Sequence, residues 1–234
     1  MLQGRQIVVT GVASGIGAET AAELARQGAD VIGVDIREPD GALCRFMRAD
    51  LSDPAAIRDL VARLPAGVHG LCNIAGLPPT SPPEQVLKVN LIGLKALTLA
   101  YVGKLAEGAS IVNVASLAGL GWPDAIAAIK ASQDGLDFAN VGEFCRQWRI
   151  EGARSYFFSK EALIAWTMQN RWTWRHRGIR MNSVSPGPVD TPILKDFLET
   201  LGERAEEDMR IMDRPGRPQD VAPLIAFLCG DGSK

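Results

Sequence analysis

Hydrophobic and polar positions along the chain alternate between two rhythms. Short runs rich in β-branched residues read as strands. Longer stretches whose apolar residues recur at helical spacing read as helices. "RQIVVTG" opens the series and predicts a strand, followed by a helix over about residues 15–27. "ADVIGVD" is a second strand and "ALCRFMRAD" a weaker third. Asp53 before Pro54 predicts an N-cap with proline at the first helical position, opening a helix that runs to about Arg63. "VHGLCNIAG" gives a fourth strand, and a long apolar helix is expected over about 83–106. "ASIVNVAS" and "GIRMNSVSP" are strands five and six, with a second long helix over about 154–177 between them. A last helix spans about 219–229. This alternation predicts an α/β fold, a doubly wound, Rossmann-like parallel sheet with helices on both faces. No repeat, low-complexity tract or linker interrupts it, so a single domain over 1–234 is expected.

Composition narrows the function classes. A net charge of −2 leaves no broad basic surface for nucleic acid or anionic lipid. Cys44, Cys72, Cys145 and Cys229 are scattered without a C-x-x-C pair and predict reduced, mostly buried thiols of a cytoplasmic protein. The N-terminus enters a strand at once, without a signal-peptide apolar region, and no run of about 18 uninterrupted apolar residues predicts a membrane span. The two histidines, His69 and His176, have no ligand spacing, so no metal site is expected.

Two stretches carry candidate chemistry. In "ARSYFFSKEALIAW", Tyr156 and Lys160 stand at i and i+4 and share a helical face. An ammonium near a phenol favours the phenolate, so a lowered Tyr156 pKa and a proton-transfer role are expected. The bland alternative is a packed tyrosine beside a solvated lysine. Near the N-terminus, "TGVASGIG" places Gly11, Gly15 and Gly17 between a strand and a helix, where bare backbone suits a pyrophosphate. The spacing is G-x-x-x-G-x-G rather than the usual dinucleotide fingerprint. Asp35 ends the second strand 18 residues beyond Gly17, close to the spacing of an acid that bonds ribose hydroxyls. A carboxylate there favours NAD over NADP, with Arg37 as the complication and a plain turn role as the alternative. Asp50, closing the third strand, is a candidate for the adenine amino group or for a turn.

"TGVASGIG", "NIAG" at residues 73–76, Asn90 in "KVN", Ser116 in "IVNVAS", "YFFSK" and "SPGPV" occur in one order, and together resemble the short-chain dehydrogenase/reductase family from the first strand to about Phe227. The resemblance implies NAD as cofactor and a small-molecule alcohol or carbonyl as substrate. It gives Tyr156 the role of general acid/base. Lys160 holds the nicotinamide ribose, Ser116 bonds the substrate oxygen, and Asn90 anchors a proton-relay water. It implies cofactor contacts from Gly11, Ser14, Gly15, Ile16, Gly17, Asp35, Asp50, Leu51, Asn73, Ala75, Gly76, Tyr156, Lys160, Pro186, Gly187, Val189 and Thr191. Ile74 departs from the asparagine the family commonly has there.

Ser116 and Tyr156 lie 40 residues apart, much farther than in most of the family. The extra segment, about 120–151, predicts a helical insertion between the fifth strand and the Tyr-Lys helix, with Pro123 at a first helical position. An insertion here is similar to the branch acting on 3α-hydroxysteroids and carbonyls. The wording of the chain is closer to members that oxidise hydroxycinnamyl alcohols such as coniferyl alcohol. A nucleotide-binding sensor without chemistry is the reading from another class. Residues 191–213 are expected to lid the substrate through Ile193, Leu194, Phe197, Leu198 and Leu201. Family members commonly pair through the two long helices. The insertion is expected to block that face and favour a homodimer through another surface. The family's last strand is missing, which predicts six strands in the order 3-2-1-4-5-6 with the sixth at an edge.

Overall fold

The computed structural model describes residues 2–41 and 44–234. Its sheet has six parallel strands in the order β3-β2-β1-β4-β5-β6. They are β1 (Gln6–Thr10), β2 (Asp30–Asp35), β3 (Arg45–Arg48), β4 (Val68–Asn73), β5 (Leu105–Val114) and β6 (Arg180–Val184). The third strand is shorter than "ALCRFMRAD" suggests, and Ala42 and Leu43 lie outside the described residues.

Alternation along each strand decides which layer each side chain joins. Val8, Ile32, Leu71 and Ile111 face α2 (Pro54–Arg63), α4 (Leu94–Tyr101) and α7 (Arg154–Asn170). Ile7, Val9, Val31 and Val112 face α1 (Gly15–Arg26) and α10 (Pro218–Cys229). Asp53 caps α2 as expected, its side chain accepting from the Ala55 N–H. All four cysteines are free, and the buried Cys72 and Cys229 sulfurs lie 3.4 Å apart.

Both long helices differ from expectation. The first is α3 (Pro83–Leu87), a π-helical turn over Lys88–Gly93, α4, and a 3₁₀ turn over Val102–Lys104. Leu105 and Ala106, expected in the helix, already belong to β5, where Leu105 pairs with Val68. The widened turn packs closely on its neighbour: a Cβ on Gly93 would lie 2.0 Å from the Leu51 carbonyl oxygen. The composite run Pro83–Lys104 has the length and hydropathy of a bilayer-crossing helix, but 61% of its apolar window is buried inside the fold. The second long helix, α7, stops at Asn170. There the Asn170 side chain donates to the Trp166 carbonyl and accepts from Thr173, and turns lead to Gly178 at φ +66°.

The insertion forms α5 (Ile126–Gly135) and α6 (Val141–Gln147). Pro123 does not open the first of these. It sits in turns closed by Asp124 N–H to Gly121 and Ala125 N–H to Trp122, and the helix begins three residues later. Ile129, Val141 and Phe144 form a third apolar cluster with Leu87 and Leu91 and with Phe158, Ala162 and Ala165 of α7. The insertion therefore covers the outer face shared by α7 and the segment before α4. After β6 the chain forms α8 (Leu194–Leu201) and α9 (Glu203–Ile211), then α10.

Candidate active site

A cavity of about 540 Å³ opens at the C-terminal ends of the strands. One end is built on the glycine-rich turn. Gly11 adopts φ +80°, and a Cβ there would lie 2.8 Å from the Ala75 nitrogen; one on Gly17 would lie 2.0 Å from the Gly11 carbonyl oxygen. Neither position tolerates a side chain, and Gly11, Gly15 and Gly17 line the cavity together with Ser14 and Ile16. Thr10, which the sequence reading passed over, fixes the facing loop: its hydroxyl accepts from the Ile74 and Ala75 N–H groups. Ala75 and Gly76 are thereby held on the cavity wall.

Asp35 stands at the rim of this end and does two jobs. Its Oδ2 accepts from Ala13 N–H at 3.0 Å, tying β2 to the glycine-rich turn, and its Oδ1 accepts from Arg37 N–H at 3.1 Å. The turn role and the ligand-facing position therefore coincide. Asp50 accepts from Ser52 N–H at 2.8 Å in a local turn, and with Leu51 lines the same wall. Pro186, Gly187, Val189 and Thr191 line the opposite side, with the Thr191 methyl against Gly15.

The other end gathers Ser116, Tyr156 and Lys160. Ser116 follows β5 and opens a 3₁₀ turn over Leu117–Gly119, its Oγ accepting from Ala118 N–H at 3.1 Å. A Cβ on Gly119 would lie 2.7 Å from the Lys160 carbonyl oxygen, so this turn rests directly on α7. That contact brings Ser116 to Tyr156 across the insertion. Tyr156 and Ser116 line the same end of the cavity, and the Phe197 ring meets the Tyr156 ring edge-on at 4.9 Å. Lys160 Nζ donates to the Val114 carbonyl at 2.8 Å and lies 5.5 Å from the centre of the Tyr156 ring.

The electrostatics of this pair correct the sequence expectation. Burial pushes the Tyr156 phenol up to about 12, with the Ser116 hydrogen bond opposing it. Burial alone lowers Lys160 to about 8. Desolvation thus drives both groups toward neutrality, and the ammonium, turned to Val114, does not depress the phenol.

Asn90 and Asn73 are placed apart from the cavity. Asn90 is buried in the π-helical turn, where its Oδ1 accepts from Leu77 N–H at 2.7 Å and its Nδ2 donates to the Leu77 carbonyl at 3.1 Å. It shapes the cavity by clamping the loop that carries Leu77. Asn73, expected among the cofactor contacts, instead donates to Thr98 and Asn113 and joins the sheet to α4. The sequence reading also missed Leu77, Pro78, Gln85 and Phe157 on the cavity wall; their apolar or lone-amide character carries no motif. Of the residues expected to lid the substrate, Ile193 and Phe197 line the cavity, Leu194 and Leu198 do not, and the side chain of Leu201 lies outside the described residues.

Comparison with known proteins is decisive. A family model for short chain dehydrogenases matches residues 5–137, and one described as enoyl-(acyl carrier protein) reductase matches residues 127–234. The chain belongs to the short-chain dehydrogenase/reductase family. It is 43% identical over 235 residues to the coniferyl-alcohol dehydrogenase of Pseudomonas sp. (strain HR199 / DSM 7063), covering 100% of this chain and 92% of that one. It is 32% identical to the 3-alpha-hydroxysteroid dehydrogenase/carbonyl reductase of Comamonas testosteroni, covering 95% of this chain and 88% of the relative. The crystal structure of 3-alpha-hydroxysteroid dehydrogenase from Pseudomonas sp. B-0831 complexed with NADH superposes with a TM-score of 0.84 at 32% identity, over 97% of this chain and 91% of that one. The protein is therefore an oxidoreductase, and its family uses a nicotinamide dinucleotide. The residues present fit that group: Gly11, Gly15 and Gly17 leave the turn without side chains on the cavity wall, and Asp35 lines the same cavity.

Proposed function

We propose that this short-chain dehydrogenase oxidises an aromatic allylic alcohol with NAD, coniferyl alcohol being the leading substrate, and reduces the carbonyl in the reverse direction. The observation that carries the reading is the burial of Tyr156, walled by Phe197 and beside Ser116, in the same cavity as the glycine-rich turn. Asp35 supports NAD over NADP, because a carboxylate at the ribose end repels a 2′-phosphate. The likeness to the NADH-complexed steroid dehydrogenase favours a second substrate class, a 3α-hydroxysteroid.

The chain's own groups supply positioning and proton transfer. Ser116 Oγ holds the alcohol oxygen beside Tyr156. As the phenolate, Tyr156 takes the hydroxyl proton as the carbinol carbon gives up its hydride; in the reverse direction the neutral phenol, which burial favours, gives that proton to the carbonyl oxygen. When bound, the nicotinamide ring supplies the hydride acceptor. Lys160, driven to about 8 by burial, is poised to exchange protons near neutral pH and to hold a ribose hydroxyl. Gly11, Ser14, Gly15, Ile16 and Gly17 would hold the pyrophosphate, and Asp50 and Leu51 the adenine. Ala75 and Gly76 would wall the ribose, with Pro186, Gly187, Val189 and Thr191 at the carboxamide. Asn90 acts on this site through Leu77.

We also propose a cytoplasmic homodimer. The apolar cluster between the insertion and α7 supports an assembly that does not use that face.

The test is NADH formation with a panel of aromatic, steroid and aliphatic alcohols, repeated with NADP. Coniferyl alcohol with NAD should give the highest kcat/KM. Tyr156→Phe should keep NAD binding and lose turnover by ~10²–10⁴-fold. Near-normal turnover of that variant, or a preference for aliphatic alcohols, would refute the reading.

A further inference from the structure

The cavity's polar lining residues are unevenly spread. Asp35, Arg37, Asp50 and Ser52 belong to the ends of β2 and β3, Ser14 to the glycine-rich turn, and Thr191 packs on Gly15. Ser116, Tyr156 and Lys160 form the reacting cluster. The wall beyond them is apolar, with Leu77, Pro78, Val89, Leu117, Phe157 and Phe197. One polar side chain remains on that wall, Gln85 of α3.

Its placement is built into the fold. Pro82 and Pro83 start α3, and Gln85 N–H closes the first turn on the Pro82 carbonyl at 2.9 Å. Gln85 and Val89, four residues apart, share the face that lines the cavity. Glu84, one position earlier, is turned the other way: a Cβ on Gly142 of α6 would lie 2.7 Å from Glu84 Oε1. The insertion thus packs on the back of α3 while Gln85 looks into the cavity. Among the described residues the Gln85 amide makes no side-chain hydrogen bond. Gln85 is solvent-exposed where it meets the cavity, so its amide is an uncommitted donor and acceptor beside apolar neighbours.

We infer that Gln85 is the specificity-determining residue for the end of the substrate remote from the carbinol, hydrogen-bonding a neutral oxygen substituent there. The inference rests on the proposed alcohol oxidation and deepens it. A carboxamide suits a phenol that carries an ortho ether: its Oε1 accepts the phenolic O–H and its Nε2 donates to the oxygens. Selection therefore falls on aromatic alcohols bearing ring hydroxyl or methoxy groups, over the bare phenyl analogue.

The experiment compares kcat/KM for coniferyl alcohol and unsubstituted cinnamyl alcohol in the unmodified protein and in Gln85→Leu. The side chains have similar volume, so cinnamyl alcohol reports folding and chemistry. The coniferyl-to-cinnamyl ratio should fall about tenfold in Gln85→Leu, as expected for one lost hydrogen bond at a site open to water, with cinnamyl turnover unchanged. An unchanged ratio overturns the assignment, and so does an equal loss on both alcohols, which would mark Gln85 as structural. If the unmodified protein oxidises neither alcohol, the substrate reading fails first and takes this inference with it.

Discussion

Replacing Phe197 by alanine should uncover the acidity of Tyr156. In the folded protein the phenol is pushed to about 12 from an ordinary value of 10.0, and burial is the leading cause. Two pKa units correspond to ~2.7 kcal/mol of preference for the neutral phenol. Phe197 stands edge-on to the ring at 4.9 Å and is brought there by α8, which Thr80 clasps through Asp196 at 2.5 Å. If that ring supplies half of the enclosure, its removal lowers the pKa by ~1 unit, or ~1.4 kcal/mol. The measurement is unusually clean, because the chain has two tyrosines. The other, Tyr101, is also held up to about 12 by burial and donates to the Pro65 carbonyl. Tyrosinate absorbance followed against pH in a Tyr101→Phe background reports Tyr156 alone. Adding Phe197→Ala should shift the midpoint downward by ~1 unit, with circular dichroism confirming that both proteins remain folded. Adding Tyr156→Phe should abolish the signal and so assign it. An unmoved midpoint in a folded Phe197→Ala protein would refute the argument that α8 desolvates the phenol.

Asp35→Ala should relax the preference for NAD over NADP. It should also lower the melting temperature, since Ala13 N–H loses its acceptor; cofactor titrations and thermal melts read the two effects separately. Gly17→Ala must displace the Gly11 carbonyl, because the new Cβ would stand 2.0 Å from it. We expect ~1–3 kcal/mol of destabilisation in urea and at least a ~10-fold loss of dinucleotide affinity; parent-like values for both would refute the close approach. Lys160 sets a pH dependence whose sign follows from its depressed pKa. Between about 8 and 10.5 the unfolded chain binds the proton that the folded chain has lost, so stability rises with pH through that window. Relative to Lys160→Met, the unmodified protein should gain up to ~3 kcal/mol between neutral pH and the top of the window, and denaturant melts at both ends would show it. A constant difference between the two proteins would mean that Lys160 is not desolvated.

Much of the molecule was legible from residues near one another in the chain. Period-two alternation accounts for Val8 on one face of the sheet and Ile7 and Val9 on the other, and the strand-helix rhythm led to the parallel sheet, while its strand order came with the family resemblance. Asp53 capped its helix, and the spacing of Tyr156 and Lys160 put them on one face of α7. These properties depend on backbone periods and caps, whose range is a few residues. What the tertiary structure decided depends on contacts between distant segments. The π-helical turn that holds Asn90 packs through Gly93 on the Leu51 backbone, and Asn73 is bonded to Thr98 and Asn113 rather than turned to the cavity. The Tyr156 pKa reversed direction for the same reason. The local pattern offers it an ammonium one turn away, but Phe197, 41 positions along the chain, helps enclose the phenol, and Val114 takes the lysine's hydrogen bond. Charge pairing can be read from spacing along a helix; desolvation is set by everything that folds over the group.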